Sequence, residues 1–148
     1  MADRTESSVV VGAAPEVVLG VIADFDSYPE WTGAVKAAEV LASDQDGRAS
    51  QVRFILDAGA IRDTYTLAYR WDFADDSTGT VSWTLVEAGM LKAMEGAYVL
   101  KSADGRSTAV TYRLSVDLRI PMLGMLRRKA ERVIIETALN ELKKRAEG

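Results

Sequence analysis

The side chains that can do chemistry in this sequence are tyrosines and charged groups, because it contains neither histidine nor cysteine. Those absences exclude Ser-His-Asp and Cys-His catalysis, thiolate chemistry and disulfides. They leave carboxylates as the metal-binding side chains, which suit hard cations rather than zinc. No acidic spacing matches a calcium loop, so neither a metal nor a cofactor is expected. Acid–base work would fall to Asp, Glu, Lys or Tyr, with a pKa moved toward neutrality by burial or neighbours.

The tyrosines stand in a pattern. Phe54, Tyr65, Tyr69, Trp71, Trp83 and Tyr112 fall at alternate positions with Val52, Leu56, Leu67, Val81, Leu85, Val110 and Leu114, the period of strands with one buried face. Tyr98 joins them if its strand keeps the same phase. Aromatic rings on a buried face serve as core filling, but a buried phenol also needs a hydrogen-bond partner, and several facing one apolar space suit a partly polar ligand. Asp63 is in phase with Ile61, Tyr65 and Leu67, so simple alternation turns a carboxylate inward and makes it a candidate general acid or base, while its place at the strand start makes a solvated position at the sheet rim the plainer reading. Arg53, Arg62 and Arg70 take the opposite phase and are expected outside. Between Leu91 and Leu100 the phase is mixed. Gly96 is read there as a bulge that switches faces, which would let Lys92 or Glu95 reach the interior; the sequence does not choose between them, and an exposed position is the plainer reading of each.

Charge points to a different set of partners. The net charge is −4, which opposes binding to nucleic acid. Against that background Arg127, Arg128, Lys129 and Arg132 form a basic cluster beside Met122, Leu123 and Met125; a solvated helix face is the plainer reading, and transient contact with an anionic membrane or an acidic carrier protein is the functional one. The longest run without a charge, Ser77 to Val86, is too short to span a bilayer, and the polar start from Met1 to Ser8 has no signal-like apolar region. A cytoplasmic location is expected.

The elements that must hold these residues follow from the punctuation. Pro15 starts an amphipathic helix through Val17, Val18, Val21, Ile22 and Phe25. Ser27 and Glu30 have capping-box spacing for a second short helix. From Glu30 to Ile120 there is no proline, and strand-like alternation is broken by turn residues at Asp46-Gly47, Asp75 to Gly79, Ala88-Gly89 and Asp104-Gly105. With Val9 to Val11 the count reaches about seven antiparallel strands. From Met122 to about Ala146 a long helix is expected. Its early stripe, Leu123, Leu126, Ala130, Val133, Ile134 and Thr137, would cover a concavity. Its later stripe, Ile135, Leu139, Leu142 and Ala146, would pack on strands. One helix cannot hide seven strands, so the sheet must curl and leave a cavity around Leu126 and Ala130.

Asp24-Phe25-Asp26-Ser27-Tyr28-Pro29-Glu30-Trp31, with Gly96, the Pro121-Met122-Leu123-Gly124 helix entry and Leu139-Asn140-Glu141-Leu142-Lys143, resembles the START-like polyketide cyclase/dehydrase and lipid-transport superfamily. The resemblance spans essentially the whole chain and implies one α+β domain over residues 1–148 with a helix-grip fold. In that fold a seven-stranded curved antiparallel sheet wraps a long C-terminal helix, with two short helices after the first strand. Members include ligand carriers, coenzyme Q-binding proteins and aromatase/cyclases, so the fold does not choose the function. The expected function is binding of a hydrophobic or aromatic small molecule, of lipid, polyketide or quinone type, by Phe54, Tyr65, Tyr69, Trp83, Tyr98, Tyr112, Leu126 and Ala130. The alternative is a cofactorless aromatase/cyclase or dehydratase using Asp63 and the tyrosines. Against that alternative, the sequence lacks the inward arginine that the resemblance implies for cyclases. A third reading is an interaction module acting through the basic helix. Trp31 is placed either at the cavity mouth or as an anchor for the second helix.

Overall fold

The computed structural model describes residues 5–57, 62–119 and 123–148. Strand β1 (Thr5–Val11) leads to helix α1 (Pro15–Ala23), a 3-10 turn (Phe25–Ser27) and helix α2 (Tyr28–Trp31). Then come β2 (Val35–Ser43), β3 (Ala49–Asp57), β4 (Arg62–Phe73), β5 (Gly79–Ala88), β6 (Leu91–Ser102) and β7 (Thr108–Leu118), and the chain closes with α3 (Gly124–Glu147). All seven strands form one antiparallel sheet in the order β1-β7-β6-β5-β4-β3-β2. The chain thus starts at one edge, and the two short helices carry it across to the other. From there it returns by successive hairpins, as the turn residues require. At Asp46-Gly47 and Asp104-Gly105 the glycines take φ of +81° and +82°, the left-handed conformation of tight turns. Asp44 and Asp104 each accept two backbone N–H bonds across these turns.

Pro15 occupies the first turn of α1, as expected. The Ser27–Glu30 capping box does not form. Ser27 belongs to the 3-10 turn and has helical φ and ψ of −91° and −2°, so its hydroxyl is not presented to the next turn's amides. Glu30 instead accepts a 3.1 Å bond from Arg145 near the end of α3. The expected positions of Ile61, Pro121 and Met122 lie outside the described residues.

Helix α3 is 24 residues long, about 36 Å at 1.5 Å per residue. It packs chiefly on β1 and β7 and touches α1. Its buried residues are Glu131, Ile135, Leu139 and Leu142, spaced four, four and three apart. This corrects the expected orientation of its first half. Leu126 and Val133 lie roughly opposite that face at 100° per residue and are exposed, while Ala130 is half-buried. The physical reason is Glu131. One carboxylate oxygen accepts a 2.7 Å bond from the Val116 amide, the other a 2.7 Å bond from the Thr5 hydroxyl. Thr5 pairs with Leu114 across β1 and β7, so the Glu131 carboxylate ties both strands to the helix above them. A charge that would ordinarily mark an outward face therefore marks the inward one.

Candidate functional site: an aromatic inner face

Antiparallel register sets the aromatic residues opposite one another. Phe54 pairs with Tyr65 across β3 and β4, Tyr69 with Trp83 across β4 and β5, and Tyr98 with Tyr112 across β6 and β7. Such directly opposed residues share a face and their rings meet. Centroids lie 5.4 Å apart for Phe54 and Tyr65, 5.7 Å for Tyr69 and Trp83, and 4.6 Å for Tyr98 and Tyr112. Trp83 also contacts Tyr98 at 5.5 Å and Tyr112 at 5.7 Å, joining the two halves. From the helical crossing Phe25 reaches Tyr69 and Tyr28 at 5.0 Å each, and Tyr28 reaches Trp31 at 5.0 Å. Phe54 and Tyr65 are stacked and the other pairs are tilted or edge-on, at spacings favoured by ring quadrupoles.

All six predicted aromatic contact residues therefore lie in one connected network. Phe54, Tyr65, Trp83, Tyr98 and Tyr112 are buried and Tyr69 is half-buried. Tyr98 takes its place without a bulge at Gly96. The pairing of β6 runs unbroken from Ala93 to Ser102, and its irregularity lies between Leu91 and Ala93. Lys92 and Glu95 are both exposed, the plainer of the two readings the sequence allowed, so neither brings a charge to the interior. Gly96 has another role. A Cβ there would come within 2.5 Å of the Trp83 indole, so the glycine is the space in which that ring lies.

The phenols of this face are held in their neutral form. Burial pushes the hydroxyls of Tyr65, Tyr69, Tyr98 and Tyr112 well above the ordinary phenol range, with Asp63 adding to the effect at Tyr65 and Tyr28 and Glu141 adding at Tyr98. They act as hydrogen-bonding groups rather than as phenolate bases. Tyr28 donates its hydroxyl hydrogen to the Ile22 carbonyl at 2.5 Å. Trp71 donates its indole N–H to the Ala49 carbonyl at 2.7 Å. Among the described residues Trp83 and Trp31 have buried indole N–H groups with no acceptor. For Trp83 that is an orphaned donor inside the aromatic network.

Asp63 turns inward and is buried, which follows its phase and corrects the expectation of a solvated position at the sheet rim. One oxygen accepts from the amides of Thr64 and Gly89 at 2.9 and 3.0 Å, the other from Met90 and Leu91 at 2.9 and 3.2 Å. Four donors fill the four acceptor sites of a carboxylate, so Asp63 clamps the β5–β6 hairpin. Its neighbour Arg62 is exposed, as are Arg53 and Arg70. Among the described residues no group of three or more acidic side chains is arranged to hold a metal ion.

Two open clefts lie elsewhere, at the junction of α1, α2 and the C-terminal end of α3. One, of about 170 Å³, is bounded by Val17, Val21, Asp24, Ser27, Trp31 and Arg145. The other, wider, is bounded by Glu30, Trp31, Glu141, Lys144 and Arg145. Trp31 borders both and also packs on Tyr28, in keeping with its placement as an anchor for the second helix. Leu126 and Ala130 border neither. Residues that sequence reasoning missed are Phe25 and Tyr28, which carry the network onto the helical crossing, and Glu131. The signal for Glu131 was its position in phase with Ile135, Leu139 and Leu142.

The family model for polyketide cyclase / dehydrase and lipid transport matches residues 11–143. No curated protein matches the sequence significantly. Among solved structures, a START superfamily protein from Mycobacterium smegmatis is 23% identical, with 97% of each chain covered and a TM-score of 0.89. The Zhui aromatase/cyclase from Streptomyces sp. R1128 is 19% identical over 99% of this chain and 94% of its own, with a TM-score of 0.79. A protein from Thermus thermophilus is 21% identical over 97% of both chains, with a TM-score of 0.76. At these identities the structural likenesses establish the helix-grip START fold alone. Among the described residues no helix is long and apolar enough to cross a membrane. With nine-tenths of its length matched in element order and sequence, the chain belongs to the polyketide cyclase/dehydrase and lipid transport family.

Proposed function

We propose that residues 1–148 form a single ligand-binding domain that holds a hydrophobic or aromatic small molecule, of lipid, polyketide or quinone type, without transforming it. The contacts are assigned to Phe54, Tyr65, Tyr69, Trp83, Tyr98 and Tyr112 on the inner face of the sheet, under α3. The observation that carries this reading is the orphaned Trp83 N–H within a connected set of neutral, buried rings. A ligand with an apolar body and one carbonyl or hydroxyl would stack on the rings and accept that hydrogen. Family membership supports the class of ligand. The cyclase or dehydratase reading is disfavoured because the acceptor sites of Asp63 are filled by backbone amides and Arg53, Arg62 and Arg70 are exposed.

Native mass spectrometry of protein purified from its own host tests this proposal, followed by titration with cis-parinaric acid. The expected result is a non-covalent adduct of defined mass, and saturable one-to-one probe binding that the extracted molecule displaces. Recovery of a chemically altered ligand would return the reading to an enzyme. An apo protein that binds no probe would end the carrier reading.

A further inference from the structure

We propose that the outer face of the first half of α3 is a docking surface for anionic lipid. Independently of the interior site, this face combines two properties that a solvated helix does not need. Leu123, just before the helix, and Met125 are 74% and 79% exposed, and Leu126, Val133 and Ile134 extend the apolar surface for more than two turns. At 100° per residue Leu126, Val133 and Ile134 form one stripe, with Arg127 on one flank and Lys129 and Arg132 on the other. Apolar side chains flanked by long cationic ones are what a helix lying in the headgroup region presents, its apolar face entering about 5–10 Å.

Charge selects the occupant. The chain as a whole carries −4, yet the exposed charges here are predominantly basic. Glu131 does not offset them, since it is buried on the opposite side and engaged by Thr5 and Val116. A second copy of this chain would bring the same basic residues against these. An anionic bilayer offers both a complementary charge and an apolar layer beneath it. The helix would lie on the surface, since it is not apolar enough to cross.

The test is flotation of the full chain with vesicles of phosphatidylcholine alone and of phosphatidylcholine with ~30% phosphatidylglycerol. Binding is expected to be at least ~10-fold greater on the anionic vesicles and to fall as salt is raised from ~0.05 to ~0.5 M. Lys129→Gln/Arg132→Gln should abolish the preference for anionic vesicles, and Leu126→Ser/Val133→Ser should lower binding to them at all salt concentrations. All four residues are exposed, and unchanged melting temperatures would show that the fold is intact. Absence of flotation, equal binding to neutral vesicles, or binding unaffected by both variants would overturn the proposal. So would a concentration-dependent dimer that Leu126→Ser/Val133→Ser dissolves, since that assigns the face to a second copy. Because the interior rings are untouched, retained parinaric acid binding separates failure here from failure of the interior site.

Discussion

Trp83 on β5 stands directly opposite Gly96 on β6, and its indole occupies the volume that a side chain at 96 would fill. One consequence is testable at once. Gly96→Ala should destabilise the protein by about 1–3 kcal/mol through overpacking. In the background of Trp83→Phe, which removes the crowded edge of the indole, the same substitution should cost much less. Urea unfolding of the four proteins in a double-mutant cycle measures the coupling. Additive effects would show that the ring does not depend on the glycine.

Asp63 is expected to matter for stability rather than for turnover of any substrate. Asp63→Ala leaves four backbone amides without their acceptor and should cost at least about 3 kcal/mol, on the scale of bonds to a charged group. Asp63→Asn keeps the shape but replaces one acceptor oxygen with a donor, and should fall between. Hydrogen exchange should accelerate first at Gly89, Met90 and Leu91. Protection unchanged at these amides would contradict the clamp.

Glu131 gives a parallel case on the helix. Glu131→Gln retains one acceptor and should be mild, whereas Glu131→Ala leaves the Val116 amide unpaired beneath α3 and should cost about 1–3 kcal/mol. Chemical denaturation of the two variants checks the order.

The tyrosines impose an alkaline limit on the fold. Burial raises the folded-state pKa of Tyr28, Tyr65, Tyr69, Tyr98 and Tyr112 above the ordinary phenol value of 10.0 that applies to the unfolded chain. Above pH 10.0 the unfolded state therefore binds fewer protons than the native state, and stability falls as pH rises. Below that pH the contribution is fully present. Unfolding free energy should not decline between pH 7 and about 9 on this account and should fall steeply above 10, with a shallower slope in Tyr65→Phe or Tyr98→Phe. Phenolate absorbance near 295 nm should appear only as the protein unfolds.

Alternation makes most of the site legible in advance, because period two over long, proline-free strands determines which side chains share a face. Phe54, Tyr65, Trp83 and Tyr112 are found inward for that reason. The phase of Tyr98 stays open in the sequence because the break in β6 lies at Leu91–Ala93, where no glycine marks it, while Gly96 carries the mark for a different cause. Helix periodicity identifies two stripes on α3 but not which one faces the sheet. That choice rests on Val116 and Thr5, distant in sequence, supplying partners for a carboxylate. The role of Asp63 is hidden in the same way, since its donors at Gly89 to Leu91 lie 26 to 28 residues onward. Polar groups satisfied by tertiary contacts look like surface or like catalysis until the contact is seen.

The most direct measurement of the central claim is an isotope-filtered nuclear Overhauser experiment on protein labelled with ¹³C-tyrosine and saturated with unlabelled cis-parinaric acid. With the tyrosines assigned through single Tyr→Phe variants, contacts between ligand protons and the rings of Tyr98 and Tyr112 are expected. Saturable binding without any contact to these rings would place the ligand outside the inner face and contradict the account.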